Sequence, residues 1–487
     1  MTDLRSRNPR TGELQFDALH ESSQRDVAAA VEASREAWKS WSRVSAEERA
    51  AALVAIADAL DAQAQELAEL ADLETALGTP RLVGEVGRTT FQLRMFATEL
   101  TAGQLLGAQV DEAIAGPPPA GRPRLHRRWV SLGPVAVFGA ANFPFAFAEC
   151  GGDTASALAA GCTVVVKEHP GHPVLAQKVI ALVRGALSQM GHDPNVVVGV
   201  RGLRAGTALV AHDMITAVGF TGSEAGGRAL FDVASARPHP IPFYGELGSI
   251  NPVFISHAAL EVRADELAVE AAASVSLGLG QFCTKPSVIF VPAHEGFVDA
   301  LGRELQKVEP GPLLGEYPRE RFLASVNRVK GVTGVDERVA VTHVEGSALV
   351  GSGLLVVSMK DFLVHADALL EECFGPLALV VACETEDDFV QAAALLAGCL
   401  VATVHAQEES DQQLVATLVG ALEHIAGRIV LNGWPTGVAV APAQHHGGPY
   451  PASTAPLHTS VGLHAMMRFV RPVVLQNMSP EQWPGVV

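Results

Sequence analysis

Apolar residues recur at helical spacing through the first hundred positions. Val27, Ala30, Val31, Trp38 and Trp41 fall on one helix face, with the small Ser34 among them. Ser45 with Glu48 three residues later is a capping box opening a second helix rich in Ala and Leu. The stretch 25–110 therefore reads as helical. A Pro/Gly/Arg segment, 116–128, breaks the pattern and predicts a linker or an exposed arm. Beyond it the texture changes. Short apolar runs at 135–138, 163–167, 195–198 and 215–220 alternate with helices predicted over 145–160, 172–190 and 204–212. This alternation predicts a parallel sheet with helices on both faces, and a dinucleotide-type site at the carboxyl ends of its strands. The second half repeats it. A helix over 263–279 runs into Cys283, a strand over 287–291 follows, then a helix over 294–308. Further strands are predicted at 339–344, 353–358, 377–382 and 428–431, and the tail 462–476 ends in a Val/Leu-rich strand. The fold class is α/β.

The chain has 487 residues. At ~150 residues per domain this favours about three domains. With 48% hydrophobic and 18% charged residues it is no disordered polymer. The net charge of −18 argues against nucleic acid and an anionic membrane face as partners. None of the six cysteines forms a C-x-x-C pair, which excludes a disulfide scaffold and the usual zinc knuckles. The N-terminus carries no apolar signal core. The longest apolar stretch, 135–148, holds Asn142 and Pro144 and is shorter than the ~20 residues a bilayer span needs. A soluble, cytoplasmic protein with free thiols is expected.

Four places could do chemistry. Cys283 lies in G-L-G-Q-F-C-T-K-P between a helix and a strand, where Gly278 and Gly280 allow close backbone approach. A thiolate is a strong nucleophile once a base or positive field forms it; a buried structural cysteine is the plainer explanation. Glu246, in a turning segment before Gly248, suits a general base if burial raises its pKa; a salt-bridging glutamate is the alternative. Asn142, in G-A-A-N-F-P at a strand end, could donate to an oxyanion or simply make a turn. Gly222 and Ser223 stand between a strand and a helix, where a helix N-terminus accepts phosphate, or where an ordinary turn forms. His445 and His446 are adjacent, so their side chains diverge, and with no third ligand in view no metal site is expected.

The order of Asn142, Lys167, F-T-G-S (220–223), E-L-G-S-I-N-P (246–252), G-Q-F-C (280–283) and E-E-C-F-G-P (371–376) resembles the aldehyde dehydrogenase superfamily. The resemblance runs from N-P-R-T-G-E (8–13) to R-F-V-R-P (468–472). Within it, the chain is similar to the branch of α-ketoglutaric semialdehyde (2,5-dioxovalerate) dehydrogenases and NADP-type aldehyde dehydrogenases. That likeness rests on 133–147, 151–162, N-G-W-P-T-G-V (432–438), H-G-G-P-Y-P-A-S-T (446–454) and L-Q-N (475–477).

The resemblance implies two Rossmann-like parallel-sheet domains plus a small oligomerisation β-arm. A cofactor domain would use 1–118 and 132–245, a catalytic domain 246–445, and the arm 119–131 and 456–487, in a homodimer or homotetramer. Cys283 would be the nucleophile, Glu246 the base for the deacylating water, and Asn142 an oxyanion donor with the Cys283 backbone N–H. Lys167, Gly202, Gly222, Ser223, Glu372, Phe374, Ala140 and Ala141 would surround NADP or NAD. Ser249 stands where the superfamily usually has Gly. Pro170 stands where many NAD-preferring members carry a carboxylate, which tilts the expectation toward NADP, although Glu168 lies close by.

The implied reaction is oxidation of an aldehyde, 2,5-dioxopentanoate or a related semialdehyde, to its acid through a Cys283 thioester. Arg94, in a helix resembling the substrate-tunnel helix, would clamp a substrate carboxylate. Phe143, Phe145 and Phe147 would equally suit an apolar or fatty aldehyde. Three rivals stand beside this reading. Glu246 speaks against a CoA-acylating enzyme, a thiol esterase would need Cys283 without redox, and a non-catalytic structural protein would not need these residues.

Overall fold

The computed structural model describes residues 3–344, 346–407, 410–478 and 482. Four helices open the chain: Gln24–Trp41, Ala46–Asp61, Ala64–Thr75 and Thr79–Ala102. The first buries Val27, Val31, Ser34, Ala37 and Trp41. Ser45 caps the second, accepting from the Glu48 N–H while the Glu48 carboxylate takes the Ser45 N–H. Such a cap is worth ~1 kcal/mol.

Five parallel strands form the first sheet. Their order is Val197–Arg201, Thr163–Glu168, Pro134–Phe138, Ala217–Thr221, Phe243–Glu246. The first strand in sequence is central, so the chain winds outward both ways and leaves a crevice at the carboxyl ends beside it. The continuous apolar runs follow from burial on both faces. Val135, Val137, Val164 and Val166 pack under the N-terminal helices. Ala136, Phe138 and Val165 pack against Leu209 and Val210 on the opposite face.

The second sheet has seven strands: Asp336–Val339, Gly353–Ser358, Leu377–Cys383, Val288–Pro292, Pro252–Ile255, Ala402–His405 and Ile429–Leu431. All pair in parallel except the edge strand Asp336–Val339. A three-stranded antiparallel sheet joins Gln109–Asp111, Leu125–Ser131 and Val470–Gln476. Segments from both parts of the expected arm meet in it; 479–481 and 483–487 of that arm lie outside the described residues.

Four elements depart from the pattern-based expectation. The helix foreseen over 145–160 is only Gly152–Ala159. The buried Glu85 carboxylate takes the N–H groups of Phe145 (2.8 Å) and Ala146 (3.0 Å), which fixes a turn there instead. The strand foreseen at 339–344 is Asp336–Val339, a half-exposed edge with broken register, where no continuous apolar run forms. Strands Pro252–Ile255 and Ala402–His405 were not separately expected, because four-residue buried runs carry no period. Among the described residues, no helix is long and apolar enough to cross a membrane.

Candidate active site

The carboxyl end of the central strand runs into Ala140, Ala141 and Asn142. Ala140 N–H donates to Phe147 O (2.9 Å), and His172 Nε2 lies 3.0 Å from Ala140 O. Asn142 is held at both ends. Its Nδ2 donates to Gln281 O (3.0 Å), two residues before Cys283, and its backbone O accepts from Arg81 Nη2 (2.6 Å). One amide hydrogen is thus spent on the loop that carries the thiol, leaving the second for an incoming oxygen.

That loop follows the short 3-10 turn Leu277–Gly280. Gly280 has φ +67° and lies so close to Gly375 O that a Cβ would sit 2.3 Å from it. The requirement for glycine brings the 371–376 motif against the thiol loop. Asn251 secures the loop from the other side, its Nδ2 donating to Cys283 O (2.7 Å) and Lys285 O (3.0 Å). Ser249 Oγ donates to Asn251 Oδ1 (2.6 Å) and accepts from Leu400 N–H (2.9 Å). The serine that replaces the usual glycine is therefore a brace for Asn251.

Glu246 is the last residue of the first sheet, where the chain crosses to the second. Ser460 Oγ donates to its Oε2 (2.7 Å), and its Oε1 faces His446 Nε2 at 3.0 Å. The same His446 Nε2 lies 3.6 Å from Cys283 Sγ. Burial pushes Glu246 upward, but His446, Ser460 and Cys283 outweigh it and hold the carboxyl below its usual value. The expectation that burial would raise Glu246 is thus corrected by its neighbours. Burial holds the Cys283 thiol well above its usual value, with the Glu246 charge adding to the rise and Arg88 opposing it.

His446 was set aside for want of a third ligand; the structure puts a carboxylate and a thiol beside it. Its only sequence signal is the glycine pair that follows.

Arg94 is also corrected. It faces outward, pairing with Asp58 (2.6 Å) and Asp61 (2.8 Å). Arg88, six residues earlier, is about 120° away around the helix. It points inward, with its guanidinium 5.2 Å from the Phe147 ring and its charge felt by Cys283 and Glu246. Arg81 stacks on Phe143 (5.1 Å) and Phe282 (5.0 Å). Each keeps one buried Nη1 without a hydrogen bond. Spacing 81, 85, 88, 92 along one helix face was the available signal.

The remaining predicted residues lie near strand ends, at helix starts and in the 371–376 loop. Lys167 is the last residue but one of the strand Thr163–Glu168, and its ammonium makes no hydrogen bond or ion pair among the described residues. Glu168 beside it is engaged by Arg201 (3.1 Å); burial raises it to about 7 against that pairing. Gly222 N–H donates to Glu246 O (3.1 Å), and Ser223 caps the helix Glu224–Ser235. Gly202 caps Leu203–Ala211 and lies against the Glu21 side chain. Glu372 accepts weakly from Ser249 N–H (3.4 Å), its carboxyl raised by burial; Phe374 is partly buried nearby in sequence. The Lys167 ammonium, the helix N-terminus at Ser223 and the Glu372 carboxylate are groups of the kinds that bind a dinucleotide's hydroxyls and phosphates.

Two parallel-sheet lobes meeting at a thiol, a carboxylate and a carboxamide define the class. The aldehyde dehydrogenase family model matches residues 2–471, and the chain belongs to that family of aldehyde-oxidising, NAD(P)-using enzymes. It is 40% identical over 488 aligned positions to alpha-ketoglutaric semialdehyde dehydrogenase 2 of Azospirillum brasilense, covering 99% of this chain and 92% of that one. It is 39% identical to the alpha-ketoglutaric semialdehyde dehydrogenase of Acinetobacter baylyi, covering 95% and 88%. The fold matches aldehyde dehydrogenase C of Pseudomonas syringae with a TM-score of 0.84 at 22% identity, covering 98% and 94%.

Proposed function

We propose that the protein oxidises 2,5-dioxopentanoate, or a closely related carboxylated semialdehyde, to the dicarboxylate. Cys283 is the nucleophile, Glu246 the base of deacylation and Asn142 the oxyanion donor. Bound NAD(P) supplies the hydride acceptor. Cys283 Sγ, as thiolate, adds to the aldehyde carbon. The alkoxide is held by Asn142 Nδ2 and the Cys283 backbone N–H; losing one such donor costs ~3–4 kcal/mol. Loss of hydride leaves the acyl group on Sγ. Glu246, ionised at neutral pH, takes a proton from water as that water adds to the thioester, and the acid departs with the thiol restored. Lys167 and Glu372 bind the two riboses, and Gly222 and Ser223 lie along the pyrophosphate, with Gly202, Ala140, Ala141 and Phe374 lining the same crevice.

The observation that carries the substrate assignment is the inward guanidinium of Arg88, which keeps a buried Nη1 without a hydrogen bond among the described residues and whose charge acts on Glu85 and then on Cys283. A buried cation with a free donor suits a carboxylate at the far end of a short chain. Arg88→Ala is expected to raise KM for the semialdehyde about 10–100-fold, the equivalent of one charged hydrogen bond of ~1.5–3 kcal/mol. Arg94→Ala should change it less than about twofold, since exposed pairs contribute little. Steady-state kinetics on both variants decide it; equal effects would remove Arg88 as the clamp. A second reading, an apolar aldehyde, draws on the rings of Phe143, Phe147 and Phe282, which pack edge to face at 5.1–5.5 Å. Under that reading Arg88→Ala leaves KM for a fatty aldehyde unchanged and kcat/KM highest for it.

NADP is slightly favoured. Pro170 offers no carboxylate, and Glu168 is tied to Arg201 rather than free to repel a 2′-phosphate. A panel of aldehydes against both cofactors is expected to give the highest kcat/KM with the dicarboxylate precursor and NADP. No turnover of any aldehyde with either cofactor would end this assignment. The three-stranded sheet, with Val110 and Val474 exposed, suits a subunit contact in a cytoplasmic homodimer or homotetramer.

A further inference from the structure

Glu246, Cys283 and His446 present three different donor atoms to one point. Their carboxylate oxygen, thiol sulfur and imidazole nitrogen all lie within 4.8 Å of one another. The set is fixed before any ligand arrives. Ser460 holds the far carboxylate oxygen at 2.7 Å, Asn251 holds the Cys283 carbonyl at 2.7 Å, and Thr459 Oγ1 accepts the backbone N–H of His446 at 2.8 Å. Glu246 and His446 are almost fully buried, and the thiol is partly open.

Two of the three edges of this set suit a tetrahedral zinc site, and the third lies within 4.8 Å. Zinc bound to sulfur at about 2.3 Å and to nitrogen or oxygen at about 2.0–2.1 Å has an S···N edge of about 3.6 Å and an N···O edge of about 3.3 Å. The observed edges are 3.6 Å for Cys283 Sγ to His446 Nε2 and 3.0 Å for His446 Nε2 to Glu246 Oε1. Only a small opening of the second edge is needed. Thiolate with imidazole selects zinc, cobalt(II) or cadmium over magnesium and calcium. Three protein ligands leave a fourth position for water on the substrate side. Electrostatics favours it too. Without a cation, a Cys283 thiolate and the Glu246 carboxylate repel each other; a dication turns that repulsion into two attractions and releases the thiol proton.

We propose that Glu246, Cys283 and His446 form a latent site for a zinc-class divalent ion, and that its occupation reversibly switches the enzyme off. The ion takes the nucleophile and the carboxylate together, so the bound form is inactive rather than a zinc enzyme. Aldehyde and metal then compete for the thiol.

The test uses chelator-stripped whole enzyme and cobalt(II) alone, following the charge-transfer absorption of a cobalt–thiolate bond. One equivalent per chain is expected, with the band lost in Cys283→Ser and the affinity reduced at least 100-fold in His446→Gln. Zinc should slow iodoacetamide alkylation of Cys283 at least tenfold, and EDTA should restore the rate. Circular dichroism and dinucleotide binding check that each variant is folded. A wild-type protein with no cobalt–thiolate band at saturation overturns the proposal. So does metal binding that leaves the alkylation rate unchanged, or His446→Gln affinity within twofold of wild type. None of these readouts depends on which aldehyde is the substrate.

Discussion

Cys283→Ala is expected to lower aldehyde oxidation by at least ~10⁴-fold while leaving dinucleotide binding intact. Alanine removes the atom proposed to carry the acyl group and little else. The backbone N–H at 283 remains, and so does its carbonyl clamp to Asn251. No other thiol can take over. Cys150, Cys162, Cys373, Cys383 and Cys399 are buried. Burial raises Cys150, Cys383 and Cys399 to about 12, and Cys162 and Cys373 to about 11; unlike the partly open Cys283, none is exposed to an incoming aldehyde. The same contrast predicts the labelling pattern. Native wild-type enzyme should take up one alkyl group per chain, at Cys283, and the variant none. Rates of reduced-cofactor formation and intact-mass spectrometry check both statements. A variant keeping more than about 1% of turnover would show that the aldehyde reacts elsewhere.

The sequence made some of this site legible and hid the rest for physical reasons. Cys283, Glu246 and Asn142 each sit at the end of a strand or in a glycine-rich turn, where local chemistry shows in the neighbouring letters. Their partners do not. His446 reaches Glu246 from 200 positions downstream, because the segment after it lies along the strand that ends at Glu246, with Leu247 N–H bonded to Ala452 O. A contact between loops of such separation leaves no periodic trace. Arg88 and Arg94 differ in sequence only by phase on one helix. The fold decides which phase faces the thiol, and Asp58 with Asp61 draws the other outward. The pKa direction of Glu246 was hidden in the same way, since it depends on Ser460 and His446 rather than on burial alone. The parallel sheets were readable because strands buried on both faces are continuous apolar runs. Pro252–Ile255 and Ala402–His405 were not, because a short buried strand and a buried helical turn can look alike.

Glu246→Gln separates the two halves of the reaction. Glutamine keeps the shape and an oxygen for the Ser460 hydroxyl but can take no proton from water. In the proposed mechanism acylation needs only Cys283 and its oxyanion donors, so the variant should release one equivalent of reduced cofactor per chain in a burst. Steady turnover should then fall ~10²–10⁴-fold, the usual worth of a positioned base. A second consequence runs opposite to simple intuition. Burial favours the protonated thiol most, the Glu246 charge adds to that, and Arg88 pulls the other way. With that charge gone, the thiolate fraction at neutral pH rises, and iodoacetamide should alkylate Cys283 faster in the variant than in the wild type. Stopped-flow reduction and alkylation rates read the two effects separately. A missing burst together with slower alkylation would mean that Glu246 serves the thiol and not the water. The burst with faster alkylation places its work after hydride loss, where a carboxylate held ionised by His446 and Ser460 meets the thioester through one water.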